Sequence, residues 1–208
     1  MKGRLITLEG GEGAGKSTVL SFLAERIRAT GAELVCVREP GGTAIGEAIR
    51  NILLDPANAA LFPETELLLM FASRAQLVRE IIAPALARGA IVLSDRFTDA
   101  SFAYQGGGRG IDMGRIAELE RWVTAVKPDL TFLLDLPVPQ GLARARGRGP
   151  GDRIEHEADE FFERARASYL QRAAAEPARW RVINASQPVD AVLRALDQAL
   201  TQWLERSM

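Results

Sequence analysis

The sequence is poor in the residues that build disulfides, zinc sites and membrane spans. One cysteine and one histidine among 208 residues exclude an internal disulfide framework and a zinc site made of cysteine and histidine. No apolar run reaches about 18 residues, so we expect neither a membrane span nor a signal peptide. The formal net charge is −1, whereas a general nucleic-acid binder or a polybasic membrane-surface protein needs a basic excess. We therefore expect a cytoplasmic protein that binds neither nucleic acid nor a membrane.

Short apolar runs alternate along the chain with longer segments of helical periodicity. Most of these runs are apolar throughout, which is typical of parallel strands that are covered on both faces. The predicted strands are 5–8, 34–37, 91–94, 130–134 and 181–183, and the predicted helices are about 16–31, 64–87, 113–126, 139–148, 155–175 and 189–206. This alternation predicts one α/β domain over residues 1–208, with a five-stranded parallel sheet flanked by helices. Cys36 falls inside the second strand, where we expect a small buried side chain.

A glycine-rich loop follows the first predicted strand. Gly10–Ser17 match the pattern G-x-x-x-x-G-K-[ST] between a strand and a helix, the context that this phosphate-binding motif requires. Glycines let the main chain approach a ligand closely, so that successive N–H groups and the helix N-terminus bind phosphate oxygens. Lys16, one of only three lysines beside 23 arginines, would contact the β- and γ-phosphates, and Ser17 would ligate Mg²⁺. The alternative is a glycine-rich turn that matches by chance.

Two arginines stand at the ends of other predicted strands. Arg38 precedes a Pro-Gly-Gly turn, and Asp95 and Arg96 follow the third strand, with Asp95 where a magnesium-linked carboxylate is usual. Ligands of open α/β sheets bind at the carboxyl ends of the strands, and guanidinium geometry matches a phosphate. The two arginines therefore predict a second phosphorylated ligand, which a GTPase or a motor would not need there. The alternatives are a surface Arg38 and a structural Asp95–Arg96 ion pair.

An arginine-rich loop and a long helix contain further candidates. Residues 144–153 combine glycine with arginine, and arginines that close over a phosphoryl group can stabilise its transition state and exclude water. Arg148 and then Arg153 are favoured here, against the alternative of a solvated basic loop. Met70, Phe71 and Arg74 fall within one helical turn, so they could sandwich a flat ring and hydrogen-bond its edge, although an apolar stripe is more often core.

Together these segments resemble the bacterial thymidylate kinase family of nucleoside monophosphate kinases. The resemblance extends over essentially the whole chain and lies in LEGGEGAGKS (8–17), REPGG (38–42), DRF (95–97), AYQGGGRG (103–110), PDLTFLLD (128–135) and DRIE (152–155). It implies a three-layer P-loop NTPase fold and a homodimer. It also implies phosphorylation of dTMP to dTDP in dTTP biosynthesis, with ATP as donor and Mg²⁺ as cofactor.

The resemblance further implies residue roles in the acceptor site. Arg38 and Arg96 would bind the phosphate of dTMP, and Glu39, which precedes a cis proline in the family, would shape this site. Glu12 would approach the sugar 3′-hydroxyl, and Tyr104 would lie against the 2′ position and disfavour ribonucleotides.

At the base end of dTMP, Arg74 would donate to the thymine, and Ser101 and Gln105 would border it. The family usually has a phenylalanine where Met70 stands, so either Met70 or Phe71 would pack on the base.

The donor site and the catalytic groups are implied in the same way. The ATP site would comprise Gly10, Gly11, Glu12, Gly13, Ala14, Gly15, Lys16, Ser17, Thr18 and Arg144. The catalytic residues would be Lys16, Asp95, Arg96, Arg148 and Arg153, and the metal ligands Ser17 and Asp95. Gly13 stands where one branch of the family has an arginine, so the catalytic arginine is expected in the lid segment, about 141–153. Two alternatives to a dTMP kinase remain: a kinase of another nucleoside monophosphate, and an ATP-binding switch without a phosphoryl acceptor.

Overall fold

The predicted parallel sheet is confirmed in the computed structural model, which describes residues 3–147 and 151–207. Within these ranges five parallel strands pair in the order β2-β3-β1-β4-β5. They are β1 (Arg4–Gly10), β2 (Leu34–Arg38), β3 (Ile91–Asp95), β4 (Leu130–Asp135) and β5 (Trp180–Asn184). The central strands β1, β3 and β4 are buried along most of their length, which explains why they are apolar throughout.

Helices connect the strands. They are α1 (Lys16–Arg28), α2 (Ala44–Leu54), α3 (Pro63–Leu77), α4 (Ala83–Ala87), α5 (Thr98–Ser101), α6 (Met113–Val123), α7 (Val138–Arg146), α8 (Asp159–Ala175) and α9 (Val189–Ser207). A π-helical turn at Val78–Ile82 joins α3 to α4, and another at Phe102–Gly108 continues α5. No helix within the described ranges is long and apolar enough to cross a membrane.

The two faces of the sheet carry different helices, which makes three layers. On one face Ile6 and Leu8 pack with Leu23 of α1 and Leu196 of α9. On the other face Leu5 packs with the π-helical turn after α3, because successive side chains of a strand point to opposite faces. The predicted three-layer α/β architecture is therefore confirmed.

The structure differs from the sequence prediction in several places. Cys36 is exposed, because β2 is an edge strand of the sheet, so the prediction of a buried side chain is wrong. The helix α2 was not predicted, nor was α5 with the π-helical turn after it, and α8 begins at Asp159 rather than near residue 155.

The strand order brings the functional segments to one edge of the sheet. Asp95 at the end of β3 pairs in register with Leu8 of β1 and with Arg38 of β2. The loop after β1 and the ends of β2 and β3 therefore meet, as the argument from parallel strands predicts.

Candidate active site

The loop after β1 is shaped by its glycines. Gly13 and Gly15 have φ angles of 67° and 88°, a region that residues with a Cβ atom avoid. A Cβ atom at Gly13 would also collide with the carbonyl oxygen of Gly141. The loop therefore requires glycine at these points to lead β1 into α1.

Lys16 lies across this loop at the first residue of α1. Its Nζ atom donates to the carbonyl oxygens of Gly10 at 3.1 Å and of Gly11 at 3.0 Å. Burial, together with the positive charge of Arg96, lowers the pKa of Lys16. An anion in the loop would favour the charged form of this lysine, so the loop is suited to phosphate.

A cavity of about 620 Å³ joins the loop to the ends of β2 and β3, within the usual size range of small-molecule sites. Glu12–Thr18 line its donor side. The other predicted site residues that line it are Arg38, Glu39, Met70, Arg74, Asp95, Arg96, Ser101, Tyr104, Gln105 and Arg144. The structure thus brings most of the predicted residues to one cavity, whereas Gly10, Gly11, Phe71 and Arg153 lie outside its lining.

Arg96 is held at the centre of this cavity wall by polar groups. Its Nη2 atom donates to Oε1 of Glu12 at 2.9 Å and to the hydroxyl group of Tyr104 at 3.0 Å. The guanidinium group also lies 4.7 Å from the centre of the Tyr104 ring, a cation–π contact. Tyr104 donates to Oε1 of Glu12 at 3.1 Å, and burial raises the pKa of Tyr104, so this phenol stays protonated. The cluster fixes a planar cation whose geometry matches a phosphate.

Two buried residues that the sequence analysis did not single out lie behind Arg96. Tyr169 of α8 accepts from Nη1 of Arg96 at 3.2 Å and donates to Oε2 of Glu9 at 2.7 Å. Oε1 of Glu9 accepts from the N–H group of Phe97 at 2.8 Å. Burial and the negative charge of Asp99 raise the pKa of Glu9 to about 8, against the opposing effect of Arg96. An acidic residue inside an otherwise apolar strand was the sequence signal for Glu9; nothing in the sequence marked Tyr169.

Arg38, at the end of β2, is exposed and pairs with Glu47 of α2. Its Nη2 atom donates to Oε2 of Glu47 at 2.8 Å, and the N–H group of Gly42 donates to Oε1 of Glu47 at 2.7 Å. These two bonds, with that of Gly42 the stronger influence, lower the pKa of Glu47. The Glu39–Pro40 peptide bond after Arg38 is cis, as the resemblance implies.

Arg74 is buried, and each of its three side-chain nitrogens donates a hydrogen bond to another group of the protein. Nε donates to Oε2 of Glu39 at 2.7 Å, Nη1 to the hydroxyl group of Ser101 at 3.1 Å, and Nη2 to the carbonyl oxygen of Phe97 at 3.1 Å. Burial raises the pKa of Glu39, and the charge of Arg74 opposes this. Arg74 therefore borders the cavity as a fixed cation, with Ser101 beside it.

The structure separates the two residues that were alternatives for the base-stacking position. Phe71 lies in an apolar cluster with Leu67, Phe102 and Ile116, below the guanidinium group of Arg74, so it does not reach the cavity. Met70 lines the cavity instead.

Arg153 lies in the interior rather than at the cavity. Its Nη2 atom donates to Oε2 of Glu66 at 2.6 Å, and its Nε atom donates to the carbonyl oxygen of Leu53 at 2.7 Å. Glu66 is fully buried and also accepts from Nε2 of Gln105 at 2.8 Å and from Nη2 of Arg109 at 3.0 Å. The structure thus places Arg153 between α2 and α3 and outside the cavity lining, and its catalytic role stays a prediction.

Of the two other arginines predicted for the lid, Arg144 lies within the described residues and Arg148 does not. Arg144 belongs to α7, is exposed, and donates from Nη1 to the carbonyl oxygen of Ala185 at 3.2 Å while lining the cavity. Arg148 lies outside the described residues, so its prediction stays as it was made.

The predicted metal ligands Ser17 and Asp95 line the same cavity. Oδ1 of Asp95 is buried and has no hydrogen-bond partner in the part of the chain that the structure describes. Groups of three or more His, Cys, Asp or Glu side chains that could bind a metal by themselves are absent from the described residues. A hard cation at this site would therefore take one or two protein oxygens together with ligand phosphates, as Mg²⁺ does.

Three polar residues of the site escaped the sequence analysis besides Glu9 and Tyr169. Arg50 of α2 lines the cavity and donates to the carbonyl oxygen of Pro40 at 2.8 Å, while Glu47 and Glu66 hold Arg38 and Arg153. All three are charged residues of a kind that is ordinarily exposed, and none belongs to a recognised motif, so no local signal distinguished them.

Comparison with known proteins identifies the family to which this site belongs. The family model described as thymidylate kinase matches residues 8–196. A thymidylate kinase of Pseudomonas fluorescens is 55% identical over 208 residues, covering 100% of this chain and 99% of that relative. A thymidylate kinase of Pseudomonas entomophila is 56% identical over 207 residues, with 99% of both chains covered. The chain belongs to the thymidylate kinase family.

A solved structure agrees with this family membership. The crystal structure of thymidylate kinase from Ehrlichia chaffeensis superposes with a TM-score of 0.80 and 32% sequence identity, covering 97% of this chain and 99% of that one. As a member of the thymidylate kinase family, the protein is a nucleotide-binding phosphotransferase with the P-loop kinase fold. The family match begins in β1 and ends in α9, so it includes every residue that lines the cavity.

Proposed function

We propose that the protein transfers the γ-phosphoryl group of ATP to dTMP, giving dTDP and ADP for dTTP biosynthesis. The observation that carries the proposal is the continuous cavity that is lined both by the phosphate loop and by Arg96, Arg38 and Arg74. A nucleotide switch needs only the phosphate loop, whereas a kinase of a phosphorylated acceptor needs the loop and the arginines. The relatives named thymidylate kinase, at 55% and 56% identity, support dTMP as the acceptor.

At the donor side, the N–H groups of the loop and the ammonium group of Lys16 bind the phosphates of ATP. Ser17 and Asp95 would hold Mg²⁺, and Oδ1 of Asp95, buried and without a hydrogen-bond partner among the described residues, fits the role of a metal ligand. When bound, the metal would neutralise charge on the phosphates. Arg144, at the open side of the cavity, contacts the donor nucleotide in this proposal.

At the acceptor side, Arg96 and Arg38 bind the phosphate of dTMP, and Glu39 shapes this end of the cavity. Glu12 and Tyr104 lie beside Arg96, close to where the sugar of that nucleotide must follow its phosphate.

The base of dTMP extends towards the fixed cation of Arg74. Ser101 and Gln105 border the base, and the polarizable sulfur of Met70 packs on it, because Met70 and not Phe71 lines the cavity.

The chemical step needs no covalent enzyme intermediate. Lys16 and Arg96 both line the cavity, so they position the two reacting phosphates and offset the negative charge of the transition state. In this proposal the predicted lid, with Arg148, closes over the site and excludes water.

The proposal includes a homodimer in the cytoplasm, where ATP and deoxynucleotides are made. Phe62, Leu68 and Trp122 are 73%, 57% and 79% exposed, and exposed apolar side chains grouped on neighbouring elements mark interaction surfaces. Light scattering coupled to size-exclusion chromatography measures the molecular mass in solution and so distinguishes a dimer from a monomer.

An assay of ADP release with a panel of acceptors tests the reaction. We expect ATP turnover to be stimulated most by dTMP when dTMP, dUMP, UMP, CMP and AMP are compared at equal concentration. A stronger response to UMP, CMP or AMP would assign the protein to another monophosphate, and ATP hydrolysis without any acceptor response would make it a switch.

A further inference from the structure

We propose that the buried carboxyl group of Glu9 positions Arg96 for the acceptor phosphate, acting through the N–H group of Phe97 and the hydroxyl group of Tyr169. The inference rests on the proposed function, in which Arg96 binds the phosphate of dTMP. It concerns two side chains, Glu9 and Tyr169, that lie outside the cavity lining and so act through Arg96 rather than on a ligand.

The first connection is through the main chain. Arg96 has a φ angle of 65° and is the only non-glycine residue with positive φ among the described residues, a conformation that a side chain with a Cβ atom disfavours. Hydrogen bonds hold the turn on both sides. The N–H group of Arg96 donates to the carbonyl oxygen of Leu8 at 2.9 Å, and the hydroxyl group of Ser94 donates to the carbonyl oxygen of Arg96 at 2.6 Å. Oε1 of Glu9 accepts from the next N–H group, that of Phe97, at 2.8 Å. Glu9 therefore stabilises the unusual backbone that aims Arg96 into the cavity.

The second connection is through the side chain. Tyr169 donates to Oε2 of Glu9 at 2.7 Å and accepts from Nη1 of Arg96 at 3.2 Å. Glu9 is 0% exposed and Tyr169 is 1% exposed, so both are fixed by the packing around them. One carboxyl group is thus connected to both the backbone and the guanidinium group of Arg96.

The remaining partners of Arg96 are of a different kind. Glu12 and Tyr104 line the cavity, so a phosphate that binds Arg96 can replace them as the acceptor of the Nη2 hydrogen bonds. Tyr169 lies behind the guanidinium group and need not move when the ligand arrives. Its bond to Nη1 therefore keeps Arg96 oriented in both the free and the ligand-bound enzyme.

The variant Tyr169→Phe tests this arrangement, because it removes the hydroxyl group and keeps the buried ring. We expect kcat/KM for dTMP to fall by about tenfold, as befits the loss of a hydrogen bond to a charged group. The KM for ATP should change by less than about twofold, because Lys16, which would contact the phosphates of ATP, makes its hydrogen bonds to Gly10 and Gly11 and not to Tyr169.

Inhibition by thymidine distinguishes a loss of the positioning of Arg96 from general damage to the nucleotide site. Thymidine has the base and sugar but no phosphate, so its inhibition constant should stay within about twofold of the unmodified value in Tyr169→Phe. Ser168→Ala is the matched control: it removes another buried hydrogen bond of α8, from Ser168 to the carbonyl oxygen of Phe102 at 3.1 Å. It should leave both dTMP and thymidine binding unchanged, whatever it does to thermal stability.

Glu9→Gln is the second variant and decides the matter if Tyr169→Phe fails to fold. The amide keeps an acceptor for Phe97 but loses the second acceptor oxygen that Tyr169 uses, so we expect a loss of about threefold in kcat/KM for dTMP alone. Unchanged dTMP kinetics in the folded variants would overturn the positioning role, as would equal weakening of thymidine and dTMP. Absence of dTMP phosphorylation by the unmodified protein would instead overturn the proposed function, and the inference with it.

Discussion

The two ends of the cavity are built in different ways. The donor end is one continuous loop, Gly10–Ser17, whose glycines present main-chain groups to the ligand. The acceptor end is assembled from side chains that are far apart in the chain: Arg74 and its partner Glu39 are separated by 35 positions, and Arg96 and Tyr169 by 73. The donor end therefore depends on local backbone conformation, and the acceptor end on ion pairs that form only in the folded protein.

The buried ion pairs make the acceptor end sensitive to the loss of one partner. The side chains of Arg74 and Glu39 are 2% and 4% exposed, and a buried charge without its partner is strongly unfavourable. At the donor end, the hydrogen bonds that Lys16 makes within the described part of the chain go to the main-chain carbonyl groups of Gly10 and Gly11. The same change, a cation to alanine, should thus affect stability at one end and activity at the other.

The largest effect on stability is expected from Arg74→Ala. It leaves the carboxylate of Glu39 buried and unpaired, so the free energy of unfolding should fall by about 3–5 kcal/mol, measured by urea denaturation. Arg38→Ala is the control, because the Arg38–Glu47 pair is exposed and should contribute less than about 1 kcal/mol. Equal losses in the two variants would mean that burial does not distinguish these pairs.

Lys16→Ala should show the opposite pattern. Removal of the charge that contacts the transferred phosphoryl group should cost about 2–4 kcal/mol of transition-state stabilisation, a loss of about 30- to 1,000-fold in kcat/KM. The free energy of unfolding should change by less than about 0.5 kcal/mol. Lys127→Ala, at an exposed position, is the control for both measurements. Turnover close to that of the unmodified protein would contradict the role of Lys16.

The same contrast explains what could be predicted from the sequence. The phosphate loop and the central strands are contiguous patterns, so their positions and the fold class followed from the order of residues alone. The arginines at strand ends also followed, because parallel strands bring their carboxyl ends to one edge.

The errors and omissions concern neighbours that only the folded chain creates. Cys36 is exposed because β2 is at the edge of the sheet, and the order of the strands in a sheet cannot be predicted from the sequence of a single strand. The hydrogen bond between Arg153 and Glu66, which are 87 positions apart, could not be predicted either, and a catalytic role of Arg153 stays a prediction. Tyr169 has the ordinary pattern of a core residue of a helix, and its hydroxyl group becomes informative only when Glu9 and Arg96 are seen on either side of it.

Glu9, behind the acceptor end, should make the stability of the protein depend on pH. Its pKa is raised from 4.5 to about 8 in the folded protein, so the native state binds more protons than the unfolded chain between these values. The stabilising contribution is complete below the unfolded pKa, and the free energy of unfolding should fall as the pH rises to 8. The slope due to Glu9 should be at most about 1.4 kcal/mol per pH unit.

Urea denaturation from pH 5 to pH 8 in the unmodified protein and in Glu9→Gln measures this slope. Glutamine does not titrate, so the variant should lose most of the decline, while the contribution of Glu39, whose pKa is also raised, remains in both. Parallel curves for the two proteins would show that Glu9 ionises as freely as it does in the unfolded chain.

The smallest effect is expected where the acceptor end is exposed. Glu47→Gln weakens the hydrogen bonds that hold Arg38 and the N–H group of Gly42. Stability should change by less than about 1 kcal/mol, because exposed ion pairs contribute little. The kcat/KM for dTMP should fall by about threefold to fivefold, because Arg38 loses its orientation, while the KM for ATP stays constant.

Glu33→Gln is the matched control for that variant. Glu33 pairs with Arg88 at 2.8 Å, with both side chains about half exposed, at the opposite end of β2 from Arg38. Its loss should alter stability as little as that of Glu47 and leave the kinetics with dTMP unchanged. If the two variants had the same kinetics, Arg38 would behave as an ordinary surface arginine, and the acceptor end would consist of its buried cations alone.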